Sequence, residues 1–254
     1  MTDRLQAEKD FHERQAQARR ATFAAEPERL HFADHHYLDH ESWIRPAFAQ
    51  LGEVAGLDVL DLGCGHGMAA VVLARRGARV AACDLAHGYL EEACCRARAN
   101  GADIRFFQAD AEHLPCADRS FDRIWCHAVL HHLDIERAAR EWRRVLRPGG
   151  RAVCCEPWGE NPLLSWARRR VAYPGKERTP DEQPLRPLQV DVLRQHFPRV
   201  EIAGFQLIAM AGHRLLGPGR ISASLDWCDA QLLRRLPALQ RFCRYVVLTL
   251  YTDE

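Results

Sequence analysis

Between residues 57 and 156, short apolar runs alternate with stretches whose apolar positions recur every three or four residues. The first pattern predicts buried strands and the second amphipathic helices. LDVLDL (57–62) predicts a first strand, broken by GCGHG, after which MAAVVLARRG predicts a helix closed by Gly77. RVAACD (79–84) predicts a second strand, and YLEEACCRARANG (89–101) a helix ending in an Asn-Gly C-cap pair. DIRFFQAD (103–110) and FDRIWCHA (121–128) predict the third and fourth strands. In DIERAAREWRRVLRPGG, Asp134 predicts an N-cap; Ile135, Ala138, Ala139, Trp142, Val145 and Leu146 share one helical face; and Pro148-Gly149-Gly150 stops the helix. RAVCCE (151–156) predicts a fifth strand. Further on, DVLRQHF reads as a helix, VEIAGFQLIAM (200–210) as a sixth strand, ASLDWCDAQLLRRL as a C-terminal helix and RYVVLTLY (244–251) as a seventh strand.

Mostly apolar strands alternating with helices predict a parallel sheet covered on both faces, an α/β fold. Residues 1–50 predict an N-terminal helical cap, with FADHHYLDHESWI turning into a second helix. Residues 51–254 form the main domain. Within it, 157–188 is rich in Pro, Gly and Arg and reads as an insertion of the kind that makes lids and substrate contacts.

Composition narrows the function classes. The 254 residues carry a formal net charge of only +1, without the strongly basic balance of a nucleic-acid binder. No window reaches the roughly 18 apolar residues of a membrane span. The first thirty residues are charged throughout and lack the apolar region of a signal peptide, which predicts a cytoplasmic protein. Ten cysteines in that context predict free thiols, most of them small buried apolar residues, and no C-x-x-C suggests a zinc ribbon.

The first strand runs into Asp61-Leu-Gly63-Cys-Gly65-His-Gly67. Glycines let backbone approach a ligand closely and turn tightly into a helix. The spacing G-x-G-x-G departs from the dinucleotide fingerprint G-x-G-x-x-G, and no G-K-[ST] makes it a P-loop. Asp61 beside the loop disfavours a pyrophosphate and suits a cationic ligand. S-adenosylmethionine, with an ammonium, a sulfonium and no phosphate, has that character. The second strand ends in Asp84, where an acid can accept from ribose hydroxyls. The third ends in Asp110-Ala111, where the carboxylate either accepts from an adenine amino group or caps a helix.

These segments resemble the class I S-adenosylmethionine-dependent methyltransferases. The likeness is to their small-molecule branch, similar to the type-11 methyltransferase domain. VLDLGCGHG resembles the first motif, VAACDLAHGYLEEA the ribose motif, FFQADAEHLPCADRSFDRIW the adenine-side motif, and HAVLHHL with EWRRVLRPGGRAVCCE the two that follow. The resemblance implies a Rossmann-like sheet of seven strands in order 3-2-1-4-5-7-6, the last antiparallel. It implies that Gly63, Gly65 and Gly67, with Asp61 and Cys64, hold the methionine portion of the cofactor. Asp84 with Leu85 would hold the ribose, Asp110 with Ala111 the adenine, and His127 would face the methionine portion. Tyr37 and Trp43 of the N-terminal helices would close over it.

CHAVLHHL (126–133) admits three readings. A zinc site needs about four ligands, and no second ligand pair stands nearby, so no metal is expected. A histidine there also serves as a cap or packs under the loop. The third reading is catalytic. Alignment supplies much of the rate of methyl transfer, but a hydroxyl acceptor must lose its proton, and imidazole is suited to take it. His131 or His132, at the end of the fourth strand, would be the base, with Glu156 of the fifth beside it. Trp158, Arg168 and Arg178 would shape the pocket of a small-molecule acceptor, although Arg168–Arg170 also reads as a solvated helix face. Methylation at oxygen is the leading expectation, with S-adenosylhomocysteine as product. Carbon or nitrogen methylation of a quinone, lipid or natural-product intermediate, and a non-catalytic cofactor binder, are the alternatives. No N-P-P-Y follows the fourth strand, which turns the reading away from nucleic-acid and protein acceptors. Cys126-His127 stands where catechol-type enzymes carry a metal-binding acid.

Overall fold

The computed structural model describes residues 3–170, 183–217 and 219–253. Seven strands form one sheet: β1 (Asp58–Leu62), β2 (Arg79–Asp84), β3 (Ile104–Gln108), β4 (Phe121–His127), β5 (Leu146–Pro157), β6 (Arg199–Phe205) and β7 (Tyr245–Tyr251). Their order is β3-β2-β1-β4-β5-β7-β6. The first five pair in parallel, and β7 runs antiparallel between β5 and β6. The helices are α1 (Asp3–Ala25), α2 (Asp34–Leu38), α3 (Ile44–Gln50), α4 (Met68–Arg75), α5 (His87–Ala99), α6 (Ile135–Val145), α7 (Pro162–Arg170), α8 (Pro187–His196), α9 (Ala209–Leu216) and α10 (Arg220–Arg235).

The period of two along each strand divides the core into two layers. Leu60, Leu62, Ile124, Cys126, Ala152 and Cys154 turn to one side, against Ala138, Ala139 and Trp142 of α6 and Leu193 of α8. Val59, Trp125, Val153 and Cys155 turn to the other, against Phe48 of α3 and Val72 and Leu73 of α4. Each fully buried Leu or Ile in these layers contributes about 1.5–3 kcal/mol of transfer free energy. Asp134 caps α6 by accepting from Arg137 N, and Ile135, Ala138, Ala139, Trp142 and Val145 form its buried face.

Helix α1 is built differently. Of its described side chains only Leu5, Glu8 and Ala16 are buried. Polar contacts with α5 fix it instead. Arg19 pairs with Glu92, Arg20 with Glu91, and Glu13 accepts from His87 N (2.6 Å) and Gly88 N (2.9 Å), the first residues of α5.

The sixth strand is shorter than its apolar run suggests. It stops at Phe205, Gln206 adopts φ +57°, and α9 starts at Ala209. The cause lies in α10. Buried Asp229 accepts from Leu207 N, Ile208 N and Ala209 N, which turns the run into a capped helix start.

Candidate functional site

Strand order reverses between β1 and β4, and in such sheets ligands sit outside the carboxyl ends at that point. A cavity of about 260 Å³ opens there. Its walls include Gly63, Gly65, Asp84, Leu85, Asp110, Ala111, His127 and His132, all singled out from the sequence. Helix α1 closes one side with Arg4, Glu8 and His12.

The loop from β1 to α4 needs its glycines. Gly63, Gly65 and Gly67 have φ of +66°, +49° and +81°. A Cβ on Gly63 would lie 2.3 Å from Val129 Cγ2, and one on Gly67 2.7 Å from Ala93 Cβ. Cys64 N donates to Cys83 O, tying the loop to β2. Asp84, 9% exposed, accepts from Gly65 N with Oδ2 and from Ala86 N with Oδ1, each at 2.9 Å. That carboxylate joins the glycine loop to the start of α5 and retains lone pairs toward the cavity. Burial raises its pKa, against those two backbone donors.

Asp61 lies behind the loop at 2% exposure. Its Oδ2 is buried with no hydrogen-bond partner among the described residues. Burial pushes its carboxyl up to about 7, with the Ala70 N–H acting in the opposite direction and the Asp84 charge adding to the rise. A buried carboxylate oxygen without a donor is costly unless a ligand supplies one.

Asp110 accepts from Glu112 N at 2.9 Å and opens a turn. No helix begins there, which removes the N-cap alternative. Glu112 in turn accepts from Asp134 N at 2.8 Å and pairs with Arg4, so α1 is tied to the ends of both β3 and β4.

Beyond β4 the chain makes a short turn through Leu130–His132. Fully buried Glu156, at the end of β5, organises it. Its Oε1 accepts from Val129 N (3.2 Å) and Leu130 N (2.8 Å), and its Oε2 lies 2.6 Å from His131 Nδ1. His132, its ring centroid 4.0 Å from that of His131, has Nδ1 3.1 Å from Glu8 Oε1 on α1. The two adjacent imidazoles therefore have different carboxylate partners, and only His132 reaches the cavity wall.

His127 ends β4. Burial lowers its pKa to about 4, so the ring is neutral near pH 7. Tyr37 Oη lies 3.3 Å from His127 Nδ1 and accepts from Trp125 Nε1 at 3.1 Å. Tyr37 thus stands behind the cavity wall, as do Cys64 and Gly67. Trp43 is buried and stacks on Tyr245 with ring centroids 3.8 Å apart.

Of the expected acceptor-side residues, Trp158 does not line this cavity. Trp158 is 4% exposed and packs in the core, because its segment is bridged to Leu185. Arg178 and the side chain of Arg168 lie outside the described residues. Sequence reasoning missed Arg4, Glu8 and His12 of α1, and also His66, whose pKa burial lowers to about 4. The spacing Glu8-x-x-x-His12, which puts an acid and an imidazole on one helical face, was the available signal.

Residues 60–154 match the family described as "Methyltransferase domain". That segment is thus similar to a methyltransferase domain. The chain's first strand, glycine loop and strand-end acids all lie in or beside that match. Methyltransferase GfsG of Streptomyces halstedii is 45% identical over 113 residues, covering 43% of this chain and 41% of that protein. Demethylmenaquinone methyltransferase of Thermobifida fusca is 34% identical over 145 residues, covering 51% and 61%. The chain thus spans about half the length of the curated relatives it matches. In fold, the chain resembles geranyl diphosphate C-methyltransferase from Streptomyces coelicolor. The TM-score is 0.57 at 17% identity, over 82% of this chain and 77% of that one.

Proposed function

We propose that the protein is an S-adenosylmethionine-dependent methyltransferase acting on a small molecule through an acidic hydroxyl, with His131 as base. The observation that carries the reading is the His131–Glu156 pair. A fully buried carboxylate stands 2.6 Å from Nδ1, at the ends of β4 and β5 beside the candidate cofactor cavity.

The residues present suit the cofactor. The unpartnered Asp61 Oδ2 matches an ammonium, and Asp84, already anchored by two backbone donors, can accept from ribose hydroxyls. Asp110 and Ala111 line the side expected to take adenine. When bound, S-adenosylmethionine supplies an electrophilic methyl group on a sulfonium. Glu156 accepts the Nδ1 proton of His131, which leaves Nε2 as the ring atom that takes the acceptor's proton, and then stabilises the imidazolium. The same step serves oxygen methylation directly. It also serves carbon methylation of a hydroxylated ring, since a phenolate activates the adjacent carbons; the named activity of the Thermobifida fusca relative favours this second reading.

Helices α1 to α3 act in this reading as the cap over the cofactor, and 157–188 as the acceptor-side lid. No helix among the described residues is long and apolar enough to cross a membrane. All ten cysteines are unpaired, which fits a reducing compartment and supports the cytoplasm.

The test is calorimetry with S-adenosylhomocysteine, followed by transfer of radiolabelled methyl to a panel of phenols, hydroxyquinones and macrocyclic alcohols. His131→Ala should cut turnover by about 10²–10⁴ without weakening cofactor binding, and His132→Ala should cut it less. Tight cofactor binding without turnover on any acceptor class would favour a non-catalytic binder. Full activity in both variants would leave alignment alone as the source of rate.

A further inference from the structure

The contacts from Trp125 through Tyr37 to His127 bear on where one proton sits. An indole N–H only donates, so with Trp125 Nε1 3.1 Å from Tyr37 Oη, the phenol oxygen is the acceptor of that bond. Its own buried O–H needs an acceptor of its own. His127 Nδ1, at 3.3 Å, is its remaining partner among the described residues. An Nδ1 that accepts carries no proton, so the proton of a neutral imidazole resides on Nε2. The low pKa of His127 keeps the ring neutral, and a neutral ring has one N–H to assign.

His127 lines the cavity, and its hydrogen bond with Tyr37 is made at Nδ1. Behind the glycine loop, outside the cavity lining, lies the opposite kind of group, the buried and unpartnered Oδ2 of Asp61. A donor on the cavity wall and, behind the glycine loop, a buried acceptor without a donor suit the two charges of a zwitterion. The carboxylate oxygen suits an ammonium. The N–H suits a carboxylate.

We infer that Tyr37 is a positioning residue that locks His127 as its Nε2–H tautomer, so that His127 donates to the α-carboxylate of the cofactor while Asp61 receives its ammonium. The inference rests on the cofactor reading above and deepens it. Tyr37 acts through His127 and touches no cofactor atom. Trp125 is the first member of the relay, since its N–H takes one phenol lone pair and leaves the O–H to turn toward His127.

The first experiment needs no cofactor. Long-range ¹⁵N–¹H correlation spectra of the ligand-free protein, with the His127 signals assigned by their loss in His127→Asn, report the tautomer directly. The expected pattern is a pyridine-like Nδ1 and a protonated Nε2. A protonated Nδ1, or a rapidly averaged pair, overturns the inference without any variant at the relay. The second experiment compares S-adenosylhomocysteine with its decarboxylated amine analogue by calorimetry. Tyr37→Phe should weaken the first by about fivefold to tenfold, the equilibrium worth of roughly one neutral hydrogen bond, and leave the second unchanged. It should also shift the His127 nitrogens toward an averaged tautomer. Equal affinity for S-adenosylhomocysteine in wild type and Tyr37→Phe refutes the inference, as does an equal loss for both ligands. If wild type binds neither ligand, the cofactor reading fails, and the tautomer spectrum still decides the relay by itself.

Discussion

Replacing Gly63 with alanine tests how the glycine loop is coupled to the turn that carries His131. At φ +66° an L-residue pays about 1–2 kcal/mol for the left-handed backbone. The new Cβ would also meet Val129 at Cγ2 (2.3 Å), Cγ1 (3.1 Å) and Cβ (3.3 Å). Val129 cannot easily retreat. Its N–H is held by Glu156, as is that of Leu130, and hydrogen bonds to a charged group are worth about 1.5–3 kcal/mol each. Overpacking of this kind costs about 1–3 kcal/mol, which puts Gly63→Ala at about 2–5 kcal/mol of destabilisation. Val129→Ala removes both methyl groups and leaves only the backbone cost. The double variant should therefore recover about 1–3 kcal/mol relative to the sum of the single ones. Urea unfolding followed by tryptophan fluorescence measures all four corners of the cycle. Strict additivity would refute the claimed contact, whatever the size of the single effects.

Two further predictions follow from charge and capping. With its pKa near 7, Asp61 is largely protonated at pH 6, and an ammonium at Oδ2 favours the carboxylate. The bound form holds fewer protons, so S-adenosylhomocysteine binding at pH 6 should release close to one proton, and affinity should rise from pH 6 to 8. Calorimetry in buffers of different ionisation enthalpy reads this, and Asp61→Asn should abolish it; a pH-independent affinity in wild type would falsify the assignment. Glu13→Ala removes the acceptor for His87 N and Gly88 N and should cost about 1 kcal/mol, with faster amide exchange along α1. Unchanged exchange there would mean that the ion pairs alone hold the helix.

The sequence carried the sheet because its strands signal locally. An apolar run such as LDVLDL, a glycine loop and a strand-end acid each need only a few neighbouring residues to be read. What it hid depended on partners far along the chain. The run through 200–210 reads as one strand because nothing near it mentions Asp229, whose carboxylate starts α9. Helix α1 has no apolar stripe to announce where it docks, since α5, more than sixty residues away, supplies its partners. His131 and His132 are identical in sequence terms. Only the fold sends one to Glu156 and the other to Glu8.

Glu156 has a consequence for any attempt to change what this protein acts on. One carboxylate both shapes the turn from Val129 to His131 and orients the imidazole that the turn presents. A substitution there alters architecture and reactivity together, so neither can be adjusted while the other is kept. Variation that leaves chemistry intact must enter elsewhere, through segments that share no donor with this residue. Directed evolution toward a new acceptor should therefore accumulate changes after Trp158 and in α9 and α10, and few or none between Val129 and His131.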